Sequence, residues 1–220
     1  MARDLARHFP HLAERTAGLA SGAGLPVGAL VGLLAAELLD PLEAAFAQLG
    51  FAAAPAGLRL ALRSPLPPTG LVLRTTRPEG GYANLTLTRP GLAAALAGVN
   101  ERGLAAAALP LGAPGAGERC QAPAVLLAEG CLERLDSVEK ALEWCERRPG
   151  GGRVRLVFAD ASGARGAVEI DAAKRLRLEP AVLDDARPAA APIGTAVRID
   201  PAARRIAIEQ PGAPDRPFLL

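Results

Sequence analysis

The chain has 220 residues and a formal net charge of +2; half of its residues are hydrophobic, 22% are charged and 3% are aromatic. This composition supports one folded domain with a core of small aliphatic side chains and argues against default disorder. Acids and bases are interspersed and no basic stripe interleaved with aromatics occurs, so nucleic acid is not an expected partner.

Asp4–Ala20 and Val27–Leu49 read as helices. In the second, Leu30, Val31, Leu33, Leu34, Leu38 and Leu42 recur near helical period, and Pro41 predicts a kink or a restart. Ala17–Ala36 is a stretch of twenty residues without a charge, the length of a membrane span. Gly18, Gly22, Gly24, Gly28, Gly32 and Pro26 interrupt it, and Asp4 and Glu14 precede it where a secretory leader would be basic. Two core helices with a Gly-Leu-Pro joint are the preferred reading. A membrane-associated protein anchored through this run is the alternative. His8 and His11 lie close together with no cysteine nearby, which fits a solvated helix face better than a metal site.

Gly57–Ser64, "GLRLALRS", alternates leucine with arginine and alanine and reads as a strand. Leu71–Thr76 and Tyr82–Thr88 flank the turn residues Arg77–Gly81 and form a predicted hairpin. Gly91–Val99 and Gly103–Leu109 flank "NER" and form another, despite alanine's weak strand preference. Leu111–Gly117 reads as a loop. Pro123–Leu135 is a predicted helix. The next helix starts with Asp136 as cap and Glu139 three residues on, buries Val138, Ala141, Leu142 and Cys145, and stops at Pro149–Gly152. Arg153–Ala159, Ala167–Ile170, Thr195–Ile199 and Arg204–Glu209 are the remaining predicted strands, with a turn at Asp160–Ala164 and a loop at Ala186–Gly194. The order predicts antiparallel sheets with helices on one or both faces.

Cys120, Cys131 and Cys145 are odd in number and form no CxxC pair, which points to a reducing, cytoplasmic setting. Cys131 and Cys145 fall on helix faces and read as small core hydrophobes. Cys120 follows a Gly-rich loop beside Arg119 and just ahead of a helix start, surroundings that can favour a thiolate. Asp160 and Glu169 form a conceivable carboxylate pair, although strand ends in water account for them more simply. Asn100, in "GVNERGL", is either a turn residue tolerant of left-handed backbone or a non-titrating N–H donor to a developing negative charge.

Five blocks, in order, carry a family resemblance: Gly18–Leu33, Leu71–Ala107, Ala122–Pro149, Leu156–Ile170 ("LVFADASGARGAVEI") and Thr195–Ile208. They resemble the acyltransferase branch of the N-terminal nucleophile (Ntn) hydrolases, related to the choloylglycine hydrolases and acting on linear amide C–N bonds. The resemblance implies a single α+β domain over residues 1–220. In it, leading helices (1–49) would precede a strand-helix-strand body (57–220) of antiparallel sheets flanked by helices, in a shortened version of the fold. It also implies acyl transfer through a thioester on an N-terminal cysteine, with Asn100 at an oxyanion-hole position and no cofactor.

The chemistry departs from the family. The family's "GCT" segment is replaced by "QLGFAAAPAGLRLALRS" (Gln48–Ser64), and no cysteine precedes Cys120. The segments resembling "N-D-W" and "TNH" are also missing. Ser64, Thr69, Thr75 and Thr76 are hydroxyls near the right region, but none follows a recognisable self-cleavage site. The expectation is a catalytically inactive homologue that binds a small acyl or peptide ligand or a protein partner. The alternative is an active amide hydrolase or acyltransferase whose nucleophile has moved to Cys120. The spatial expectation is Asn100 at the end of a central strand, near the start of the Gly57–Ser64 strand or the Gly50–Ala54 segment that precedes it, facing alanine, phenylalanine or leucine side chains.

Overall fold

The computed structural model describes residues 1–39, 48–54, 57–64, 70–112, 121–171, 174–179, 195–209 and 216–220. Two antiparallel sheets organise them. The larger has seven strands in sequence order: β3 (Val72–Thr76), β4 (Asn84–Thr88), β5 (Ala97–Asn100), β6 (Leu104–Gly112), β7 (Arg153–Asp160), β8 (Arg165–Asp171) and β9 (Lys174–Leu178). The smaller runs β1 (Gln48–Ala54), β2 (Gly57–Ser64), β10 (Thr195–Asp200), β11 (Arg205–Glu209) and β12 (Arg216–Leu219). The chain therefore leaves the smaller sheet after β2, completes the larger one and returns at β10, which pairs with β2 through Leu62 opposite Val197.

Strand alternation sorts the core into two layers. On β7, Leu156 and Phe158 face the helices, whereas Val157 and Ala159 face the smaller sheet. There they meet Leu60, Leu62, Val197, Ile199 and Ile206. β2 lies over β6 and β7, and β10 and β11 lie over β5. The outward positions of the smaller sheet carry charged pairs among alanines: Arg59 Nε donates to Asp200 Oδ2 at 3.0 Å, and Arg198 pairs with Glu209. This is the polar side of a sheet with one face in water.

The helical layer covers the other side of the seven-stranded sheet. α4 (Leu126–Arg134) packs on β5 and β6, and α5 (Val138–Arg147) on β7 and β8. α1 (Ala2–His8), α2 (Pro10–Gly22) and α3 (Val27–Leu39) join the same core through Leu5, Phe9, Leu12 and Leu34. Pro10 occupies the first turn of α2, where a missing N–H is tolerated. Among the described residues, no helix is long and apolar enough to cross a membrane; α3, which takes up the second half of the charge-free run and continues past it through Glu37, has 13 residues.

Several sequence expectations change. The predicted first helix is two helices broken at Phe9, and of the predicted second, Val27–Leu39 is helix while its last two residues, Gln48 and Leu49, belong to the strand Gln48–Ala54. β9 and β12 are strands that the alternation rule misses. β6 extends to Gly112, into the expected loop. The cap of α5 is Ser137 rather than Asp136, and its side chain makes no capping hydrogen bond. Asp136 instead accepts from Lys140 one turn on, at 2.8 Å. The expectations for Pro41 and for the Ala186–Gly194 loop, and the candidate Cys120 with Arg119, lie outside the described residues.

Candidate functional site

Asn100 ends β5 and is completely buried. The chain turns at Asn100–Gly103, where Gly103 has φ +81° and donates its N–H to the Asn100 carbonyl at 2.9 Å. Glycine is required there twice over: the backbone is left-handed, and a Cβ would lie 2.8 Å from Ala161 Cβ and 3.0 Å from the Pro201 oxygen. The second contact sets this turn against the β10–β11 turn, at the end of the smaller sheet where β2 begins, since Leu60 pairs with Ile199.

The Asn100 side chain points the other way, into the helical layer. Its amide nitrogen donates to the carbonyls of Leu132 (2.9 Å) and Leu135 (2.7 Å), at the end of α4. Its amide oxygen accepts from the N–H groups of Arg102 (3.0 Å) and Leu104 (2.9 Å). Both donors and both acceptor sites of the primary amide are engaged. The expectation of apolar side chains facing this amide is corrected: it faces helix-end carbonyls, which would otherwise lack partners.

Asp160, at the end of β7, stands beside this turn, because Leu104 pairs with Asp160 across the ladder. Its Oδ2 accepts from Val138 N–H at 3.0 Å, satisfying a first-turn donor of α5 and placing a carboxylate at the positive end of that helix. Its Oδ1 accepts from the N–H of Ser162 at 3.0 Å. Two neighbouring strand ends thus grip the α4–α5 junction, Asn100 holding the end of one helix and Asp160 the start of the next. Glu169 is not brought to Asp160; it pairs with Arg155 across the β7–β8 ladder.

A buried charge cluster ties α2, β3 and α4 together. Glu129 is fully buried and accepts from Arg15 Nη1 (2.5 Å) and Arg74 Nη2 (2.8 Å). Arg74 also donates to the carbonyls of Leu92 and Ala93. Arg15 reaches Glu133 as well, and His11 Nε2 lies 3.1 Å from Glu133 Oε2. His11 is therefore half-buried against α4 rather than on a solvated face. Desolvation raises the Glu129 carboxyl above its ordinary value, with Arg74 and Arg15 opposing, and lowers the His11 imidazole, with Glu133 opposing. Sequence reasoning passed over this cluster, although two carboxylates, Glu129 and Glu133, inside the largely apolar run "AVLLAEGCLERL" were a visible signal.

Cys131 and Cys145 are fully buried, with their sulfurs 3.7 Å apart, and burial pushes the Cys131 thiol well up. They are core groups rather than exposed thiolates. His8 lies 3.4 Å from Asp4 on α1. Among the described residues, no group of three or more His, Cys, Asp or Glu side chains is arranged to hold a metal ion.

No protein-family model matches the sequence, and no curated protein matches it. The structure is similar to that of penicillin V acylase from Agrobacterium tumefaciens, with a TM-score of 0.57 over 78% of this chain and 85% of that one, at 13% sequence identity. The fold is Ntn-hydrolase-like: two antiparallel sheets flanked by helices. In this chain the first hairpin is β1–β2, "QLGFAAA" and "GLRLALRS". It contains no cysteine, and its one hydroxyl residue, Ser64, lies at the far end of β2, opposite Thr195.

Proposed function

We propose that this chain is a catalytically inactive Ntn acyltransferase-like protein of the cytoplasm, kept for binding a small acyl or peptide ligand or a protein partner. One observation carries this reading: the first hairpin of an Ntn fold, β1–β2, has neither a thiol nor a hydroxyl on its leading strand. Covalent acyl transfer needs a nucleophile activated by a nearby base. The saturated Asn100 amide supports the same reading. An oxyanion donor must be free to meet charge as it develops, and here both N–H bonds already hold the end of α4.

The test is hydrolysis of p-nitrophenyl esters and of phenoxyacetyl and phenylacetyl amides by the purified full-length chain. The expected outcome is no turnover above buffer. Turnover that disappears in Cys120→Ala would establish the competing reading, an active amide hydrolase with a relocated cysteine.

A further inference from the structure

A cleft of about 630 Å³ opens where the end of α1 approaches α5, away from the β1–β2 hairpin. Its size is that of a small-molecule site. Leu135, Trp144 and Pro149 supply its apolar lining, and Lys140, Arg147, Arg148 and His8 its basic lining; Glu143 is the acid of the lining. Lys140, Trp144 and Arg147 share one face of α5 by their spacing. Lys140 and Arg147 are seven residues apart, so the rim spans roughly 10 Å along the helix.

Most of these charges have partners. Lys140 pairs with Asp136, Arg147 with Glu143 and His8 with Asp4. Arg148 differs. Its guanidinium lies over the Trp144 ring, 5.1 Å from the centroid, and it pairs with no carboxylate among the described residues. An aromatic face orders a guanidinium without neutralising it, so its donors remain available to a planar anion. The benzo edge of the indole is seated against Gly130, where a Cβ would come within 2.7 Å of Trp144 Cη2.

We infer that this cleft binds a small carboxylate with an apolar body: the carboxylate on Arg148, with Lys140 on the rim, and the body against Trp144 and Leu135. The site is independent of the proposed loss of catalysis and would stand if the chain proved to be an enzyme.

Trp144 is the single tryptophan of the chain, so its fluorescence reports on this cleft alone. The experiment titrates the full-length protein with octanoate and with uncharged octanamide. Octanoate is expected to change the emission saturably, with half-saturation at or below about 1 mM, and octanamide to bind at least about tenfold more weakly, as expected for loss of a charge-assisted hydrogen bond. Arg148→Gln should weaken octanoate by about tenfold and leave octanamide unchanged. Lys140→Gln should weaken octanoate by a smaller factor, and thermal melts of both variants confirm that they fold. Equal response to acid and amide, a linear response without saturation, or unaltered octanoate binding in folded Arg148→Gln would each overturn the inference.

Discussion

Replacing Asn100 by alanine would strip partners from the carbonyls of Leu132 and Leu135 and from the N–H groups of Arg102 and Leu104. Leaving buried polar groups unpaired costs about 1–3 kcal/mol each before relaxation. Asn100→Ala should therefore lower unfolding stability by at least about 3 kcal/mol in urea titrations. A loss under about 1 kcal/mol would show that the amide is not what holds the α4–α5 junction. The residue was legible in the sequence as the polar point of a turn. Its role was not, because the carbonyls it serves lie 32 and 35 positions further along. The same distance hid Asp160: a helix start served by a carboxylate 22 residues away leaves no local pattern, whereas Asp136 and Glu139 offered a local pattern that the fold does not use.

Among elements, the strands with alternating leucine, valine or isoleucine were the readable ones: Gly57–Ser64 is β2 with the expected bounds. β1 was obscured because "QLGFAAA" is as good a helix sequence as a strand, and only pairing with β2 decides it. β9, "KRLRL", is an edge strand whose basic residues face water and α5, with Arg177 reaching Glu139 and Glu146, so it lacks an apolar run. The contact of α2 and β3 with α4 makes a prediction about pH. Glu129 has a raised carboxyl pKa in the fold, so the stability it contributes is fully present below its unfolded value, 4.5, and is lost as pH rises through the folded one. His11 acts in the opposite sense: its lowered pKa contributes stability above 6.5 that is lost on acidification. The difference between wild type and Glu129→Gln isolates the carboxyl, because Arg15, Arg74, Glu133 and His11 remain in both. That difference should shift in favour of the glutamine variant as pH rises from 4.5 toward neutrality, measured by urea unfolding at fixed ionic strength. A difference that is flat, or that shifts toward wild type, contradicts the assignment.

For the molecule as a whole, the sequence supported antiparallel sheets with helices on one or both faces but could not choose between them. The choice depends on which strand faces are apolar, and the outward face of the smaller sheet carries Arg59, Asp200, Arg198 and Glu209. The leading helices belong to the main core rather than to an appendage: Phe9 and Leu12 are fully buried with α4 and α5 residues, and Asp4 accepts from the N–H of Ala122 at 2.7 Å. Phe9→Ala should accordingly weaken the whole fold by about 3–5 kcal/mol, seen as one cooperative unfolding transition moved to lower denaturant. Separate melting of the leading helices, with the main transition unmoved, would show them to be an independent layer.

At the centre of both layers, β6 presents Ala105, Ala106, Ala107 and Ala108 in succession, all without solvent contact, and on β5 a Cβ added at Gly98 would come within 2.8 Å of Leu132. The middle of the molecule is therefore thin: single methyl groups separate the backbone of the sheet from α4 on one side and from β2 on the other. Such a centre orders little side-chain freedom on folding, which suits a chain so poor in aromatics. It also leaves no slack. Growth by even one methylene at these positions would have to lift a helix or part the sheets, so sequence drift in this protein is channelled outward, to the rim of the cleft and the charged face of the smaller sheet, where a new side chain displaces only water.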